Sequence, residues 1–468
     1  MVFALVLSLV VSLLLRLPSF FEPYSYADEG IYLVLGQAFK QGLVFYKDIH
    51  DNKPPLLYLT AALADNLTNF RLLLALVNWA NLGLIWLLAK KLFKNNFRAV
   101  LAASLSFALL SGLTLLEGNI ANGELFMIAP LTAAVYFIVK KRFWVAGLLA
   151  AIGFLYKVPV AFDLAGITLW LIWQSRDWWR SGLKLAAGFL GVNILVAAYY
   201  FKVGTGQRYL TAALLQNLPY LTSWGSGGGG GSIFQSGLFQ RLVLLLVWSG
   251  LIFYFKKKLA PATALLGLWF GFSLYGVLLS ERPYPHYWIE AVPVISLMIG
   301  GVLAQTAGAR KLFLAGFLLA GISWFQFHFW SYPVKAYYNN FIKLISGQQD
   351  RLSYQRYWGN QVIDDQQTAD FIREHTLDNE RIFVWGTSPG IYYLSGRLPV
   401  GRYTVAYHVA DFKAFEETMA ALEQAQPRLI VNLTSEGLPF PRLTGLLAAK
   451  YQLVKTIADR QIYLRLIE

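Results

Sequence analysis

The chain has 468 residues, 56% of them hydrophobic and 14% charged; soluble domains carry about 25% charged residues, so a simple soluble enzyme is excluded. A mean hydropathy of +0.47, with 33 Phe, 26 Tyr and 15 Trp, is more apolar surface than one globular core can absorb, and a bilayer is the solvent left for it. The net charge of +14 is uneven, with 25 Lys and Arg against 12 Asp and Glu in residues 1–332 and 15 against 14 in 333–468, and zero cysteines exclude disulfides, thiolate metal sites and Cys nucleophiles.

Apolar runs at 2–20, 70–89, 99–116, 124–139, 143–156, 159–173, 185–201, 238–255, 260–279, 287–304 and 312–330 predict about eleven transmembrane helices. Basic clusters separate them: Lys90 to Arg98, Lys140 to Arg142, Arg176 to Lys184, Lys256 to Lys258, and Arg310 with Lys311. That spacing is the positive-inside pattern and not a nucleic-acid stripe. With the clusters in the cytoplasm, the N-terminus lies inside and residues 331–468 lie outside. All acids of the first 332 residues except Asp177 then fall on the outer side or its edge, which the positive-inside rule alone does not require.

The first run lacks a basic n-region and a small-residue cleavage site, so it reads as a retained anchor. Residues 21–69 form an outer segment in which Asp28 to Lys40 predicts an amphipathic helix along the interface, with Ile31, Leu35 and Phe39 apolar. Pro54-Pro55 then opens a short apolar helix. The Gly/Ser run at 225–232 reads as a native loop, with an artificial linker as the alternative. Beyond Tyr332, Asp364–His375 and Asp411–Gln426 predict helices, and Ile382–Trp385 and Leu429–Val431 short buried strands. The fold class is a polytopic α-helical membrane protein: residues 1–332, with a catalytic outer segment at 21–69, and an extracytoplasmic α/β domain at 333–468.

Four polar groups, each on a separate outer loop, carry possible chemistry. Asp28-Glu29 opens the interfacial helix, where adjacent carboxylates serve a general base or a cation site; helix capping by Asp28 is the competing account. His50-Asp51-Asn52-Lys53-Pro54-Pro55 holds an ammonium at the membrane surface, where a lipid phosphate would meet it; snorkelling alone also explains a lone Lys. Glu117 to Glu124 is a polar turn that supplies carboxylate or amide ligands or is simply solvated. Arg282, Tyr284, His286 and Tyr287 form a fourth group suited to an anion. Asp163 reads as a structural partner of Lys157, His328 as an aromatic-belt residue, and His375 and His408 as surface residues. The outer acids leave a divalent cation open, since no ligand spacing specifies one.

These residues resemble the GT-C polytopic glycosyltransferases, specifically the family 39 group of protein O-mannosyltransferases, aminoarabinose transferases and Rgt-type sugar transferases. Asp28-Glu29 with Tyr32, Lys53-Pro54-Pro55, Arg71 at the head of the next span and His286-Tyr287 carry the likeness. Val384-Trp385-Gly386, Tyr392 to Arg397 and Arg402-Tyr403 extend it into the C-terminal part. The resemblance implies transfer of a sugar from a polyprenyl-phosphate donor to an extracytoplasmic acceptor, with inversion at the anomeric carbon. It makes Asp28 the base, Glu29 its assistant, and Lys53 with Arg282, Tyr284 and His286 the donor-phosphate ligands. His50, Asp51, Tyr32, Glu117, Glu124 and Tyr287 are further candidates. Where the aminoarabinose branch has Arg before the Tyr of its first motif, this chain has Ile31. The rival functions are a polyprenyl-diphosphate oligosaccharide ligase or polymerase and a polytopic transporter or flippase. A transporter would gather polar groups at the midplane of repeated halves, and neither feature is visible. The mechanism requires Asp28 and Lys53 within about 15 Å, the reach of one bound sugar phosphate.

Overall fold

The computed structural model describes residues 1–216, 237–280, 282–304 and 307–466, and the 225–232 run lies outside them. All eleven apolar runs are helical: α1 (Val2–Arg16), α4 (Leu67–Leu92), α5 (Phe97–Gly112), α6 (Gly123–Val139), α7 (Phe143–Tyr156), α8 (Val160–Gln174), α9 (Trp178–Lys202), α10 (Gly237–Tyr254), α11 (Pro261–Val277), α12 (Val292–Ala304) and α13 (Ala307–Gln326). Six stretches, Val2–Phe20, Leu67–Leu92, Trp178–Lys202, Gly237–Tyr254, Pro285–Ala304 and Gly308–Gln326, are long and apolar enough to cross a membrane, and the other five helices are shorter. The remaining α-helices of six or more residues among the described residues are α2 (Ala27–Lys40), α3 (Leu56–Ala64), α14 (Val334–Ile345), α15 (Arg351–Arg356), α16 (Gln361–His375), α17 (Gly390–Ser395), α18 (Ala406–Asp411), α19 (Phe415–Ala425) and α20 (Pro441–Lys450).

The chain divides into two compact units. The first comprises Met1–Phe20, Arg71–Gly206 and Ala213–Lys335, the second Phe21–Phe70, Gln207–Ala212 and Ala336–Glu468. The segment 21–69, grouped by sequence with the apolar part, thus packs within the second unit. Apolar side chains cannot by themselves drive helices together in lipid, so close backbone approach matters in the first unit. Helices α7 and α9 meet through facing glycines: a Cβ on Gly147 would stand 2.1 Å from the Leu185 carbonyl oxygen, and one on Gly188 2.4 Å from that of Trp144. Arg16, 1% exposed, donates from Nη2 to the Ser111 carbonyl at 2.9 Å, and Arg71 donates to that of Ser19 at 2.9 Å.

The second unit contains a four-stranded sheet of order β1 (Phe383–Trp385), β2 (Leu429–Leu433), β4 (Arg460–Arg465), β3 (Tyr451–Ile457). β1 and β2 are parallel, with Val384 opposite Val431, and the other pairs are antiparallel. The two strands read from sequence are the buried ones; β3 and β4 were not anticipated. Phe383, Trp385, Ile430, Met419, Leu422 and Leu447 pack on one core, each contributing about 1.5–3 kcal/mol of burial. The helix predicted over 411–426 is observed as α19, starting at Phe415; α18 ends at Asp411, and between the two Lys413 takes a left-handed φ of 52°. Helix α2 is not a two-faced interfacial helix: Ile31 to Leu35 are all buried, and it packs on α3 and α17 within this unit.

Candidate active site

In the second unit, Asp28 and Glu29 occupy the first turn of α2, where the helix dipole favours negative charge. One turn on, Tyr32 shares the Asp28 face and donates its hydroxyl to Asp28 Oδ2 at 3.0 Å. Glu29 is fully buried, whereas the Asp28 side chain is 30% exposed and open to a substrate. The loop after α2 turns at Tyr46, whose φ of 67° is left-handed, and leads to Lys53. Two phenols fix that lysine's backbone: Tyr46 donates to its carbonyl at 2.7 Å, and Tyr58, near the start of α3, accepts its N–H at 2.9 Å. The Tyr58 proton goes to Asp51 Oδ2 at 2.9 Å.

The Lys53 ammonium consequently stands 3.6 Å from Asp28 Oδ2, 3.5 Å from Asp51 Oδ2 and 5.1 Å from the centre of the Tyr32 ring. The separation required of Asp28 and Lys53 is met with a large margin. Exposure divides the two carboxylates by role. Asp51 has no exposed side-chain surface and stands beside Lys53 as a buried counterion. Burial works to raise its pKa, but Lys53, His408, the Asn52 N–H and the Tyr58 hydroxyl together hold it below the ordinary carboxylate value.

His408 was assigned to the surface by sequence, and the structure corrects this. It is 1% exposed, with Nε2 3.5 Å from Asp51 Oδ1. Burial lowers its pKa against the pull of Asp51. His50 donates its backbone N–H to the Arg402 carbonyl at 2.8 Å and packs its ring against Phe412 and His408, at 4.3 and 5.8 Å between centres. Burial, reinforced by His408, brings its pKa down to about 3. Both imidazoles are therefore neutral at pH 7. Sequence gave no route to His408 or Tyr58: the Asp51–His408 pair closes across a gap that no local spacing announces, and Tyr58 sits in an apolar helix.

The first unit holds the other two groups. Glu117 closes the turn after α5 in a left-handed conformation (φ 56°) and Glu124 opens α6; they are 1% and 3% exposed, so the solvated-loop alternative fails. His286 Nδ1 lies 2.6 Å from Glu117 Oε2 and Nε2 3.6 Å from Glu124 Oε1, so both ring nitrogens face carboxylates. Lys157 pairs with Glu124 and stands over the Tyr287 ring at 4.9 Å. The expected Asp163–Lys157 pair is thereby overturned, and Asp163 instead accepts from Trp269 Nε1 at 2.8 Å and Ser273 Oγ at 2.5 Å. Tyr284 stacks on His286 at 5.5 Å between ring centres. Arg282 is half-buried, its backbone N–H directed to Ser280 Oγ at 3.4 Å. His375 is half-buried and bonds the Phe371 carbonyl at 2.8 Å, while His328 is exposed. Among the described residues, no group of three or more His, Asp and Glu is placed to hold a metal ion.

Residues 52–201 match the family model described as dolichyl-phosphate-mannose-protein mannosyltransferase. The match takes in Lys53-Pro54-Pro55 and begins after Asp28. The chain is similar in structure to ArnT from Cupriavidus metallidurans bound to undecaprenyl phosphate, with a TM-score of 0.58 over 99% of this chain and 97% of that one at 14% identity. The apo state of the same protein gives 0.57 over 98% and 97% at 13% identity. No curated protein matches the sequence. These likenesses show the fold: the chain shares that of the two ArnT structures over nearly its whole length, and residues 52–201 carry the family match.

Proposed function

We propose that the protein transfers a sugar from a polyprenyl-phosphate donor to an acceptor hydroxyl, inverting the anomeric carbon. The observation that carries this is the partly exposed Asp28 carboxylate with the Lys53 ammonium 3.6 Å away, itself braced from behind by Asp51. In the free protein Lys53 is shared by two carboxylates; a donor phosphate competes for it and frees Asp28 for the acceptor. Asp28 takes the proton of the acceptor hydroxyl as that oxygen attacks the anomeric carbon from the face opposite the phosphate. The bond from carbon to phosphate oxygen breaks, and the polyprenyl phosphate leaves with its new charge met by Lys53. The ArnT structure with undecaprenyl phosphate supports this class of donor.

Arg282 and Tyr284 are proposed as further donor-phosphate ligands. For His286 the geometry favours a second role, since its ring is engaged by Glu117 and Glu124. The basic clusters support an N-terminus in the cytoplasm and chemistry on the extracytoplasmic side of the plasma (inner) membrane. The test is transfer itself. Protein in lipid is given polyprenyl-phosphate sugars labelled in the sugar, with protein, glycan and lipid acceptors. The proposal requires label in an acceptor with inverted anomeric configuration; retained configuration, or transfer only from a diphosphate donor, refutes it.

A further inference from the structure

The second unit holds a further cavity of about 400 Å³, lined by Ala27 but not by Asp28 or Lys53 themselves and within the size range of ligand pockets. It opens at the C-terminal ends of the two parallel strands. Thr387 and Ser388 follow β1, and Ser435 and Glu436 follow β2; such strand ends are where sheets of this kind leave a crevice. Its floor is a fixed polar network. Arg460, 4% exposed, donates from Nε to Asp365 Oδ1 at 2.8 Å and also bonds Asp459, and Ser388 donates to Asp365. At the rim, Thr387 donates to Glu436 Oε1 at 3.0 Å.

Tyr24 also lines the cavity, its ring held by two glycines. A Cβ on Gly30 would stand 1.7 Å from its hydroxyl, and one on Gly390 2.2 Å from its ring. Tyr24 directs its hydroxyl to the carbonyl of Ala27 at 3.4 Å, and Ala27, the residue before Asp28, also lines the cavity. Hydroxyls that donate and accept and carboxylates that accept, lining one cavity together with an aromatic ring, suit a polyhydroxylated ring with one apolar face. The charge is one-sided: Asp364, Asp365, Glu436 and Asp459 face a single Arg460. Such a lining repels phosphate and carboxylate groups.

We propose that this cavity is the acceptor subsite of the transferase proposed above, and that it takes a neutral or amine-bearing saccharide whose hydroxyl is delivered to Asp28. This rests on the transferase reading for its consequence, since the bound hydroxyl is the one whose proton passes to Asp28 as its oxygen bonds to the donor sugar and the phosphate departs.

The test uses the full chain in lipid nanodiscs and saturation-transfer NMR with cellobiose, a glucosamine disaccharide and glucose 6-phosphate. The first two should bind and the phosphate should not. Thr387→Val with Glu436→Gln, two rim positions away from the buried Arg460 network, should weaken binding at least about ten-fold. Equal binding of glucose 6-phosphate, unchanged binding in the double variant, or no binding of any probe would overturn the proposal. Polyprenyl-phosphate release from a polyprenyl-phosphate sugar is followed in the same preparations. Release without saccharide binding defeats the cavity assignment alone, and saccharide binding without release defeats the transferase reading and leaves a saccharide site.

Discussion

Lowering the pH from 7 to 5 should loosen the part of the second unit built around His50, by an amount that the structure allows to be worked out. His50 has an ordinary value of 6.5 in the unfolded chain and about 3 in the fold, because it is buried among Phe412, Tyr403 and His408. Between those values the unfolded chain binds more protons than the folded one. The contribution of neutral His50 is therefore complete above about pH 6.5, declines as the pH falls and is lost by about pH 3. At pH 5 the loss is about 2 kcal/mol, a factor of about 30 in the equilibrium between open and closed forms. His408, also lowered by burial, acts in the same direction. Hydrogen exchange of the amides in 403–412, corrected for the intrinsic rate at each pH, measures it in the intact protein. His50→Phe keeps an aromatic ring in the site and should remove most of the pH dependence. A slope that survives in His50→Phe, or none in the unaltered protein, would refute this account.

Other outcomes follow from the same geometry. Lys53→Ala should weaken donor binding about 10–100-fold, the loss of one charge-assisted contact to phosphate, as read by titration with a polyprenyl-phosphate sugar; unchanged affinity would remove Lys53 from the phosphate site. Tyr58→Phe strips the Lys53 N–H and Asp51 of a shared partner, so it should cost about 1–3 kcal/mol of stability in denaturant unfolding, and a neutral result would mean the loop is held otherwise. Gly147→Val drives a side chain into the Leu185 carbonyl and should lower thermal stability by at least about 1–3 kcal/mol; wild-type stability would contradict the α7–α9 packing. Because the Lys53 ammonium already fills the space beside Asp28 and Asp51, EDTA should leave donor binding within about two-fold, whereas a loss restored by a divalent ion would add a metal to the site.

The helical part was legible because a membrane span needs no pattern beyond sustained apolarity, and runs such as 124–139 and 287–304 show it directly. Local chemistry was legible too: Asp28 and Tyr32 are one helical turn apart, and their bond follows from that spacing. Contacts that close over long stretches of chain were not. Asp51–His408 joins positions more than 300 residues apart and Glu117–His286 positions 169 apart, and nothing near His408 marks it as buried. Strand β3 escaped because five of its seven residues are exposed, Lys455 among them, so it shows no alternation. Helix α2 misled in the opposite sense, since an apolar stripe does not tell a lipid surface from the flanks of α3 and α17.

The central claim is that Asp28 is the base and Lys53 the phosphate ligand, and one comparison tests it most directly. Polyprenyl-phosphate release and donor affinity are measured on full-length protein in lipid, with Asp28→Asn beside the unaltered chain. The account predicts that turnover falls about 10²–10⁴-fold, or about 3–5 kcal/mol of transition-state stabilisation, while donor affinity is kept. Turnover near the unaltered level, or equal losses of affinity and turnover, would contradict it.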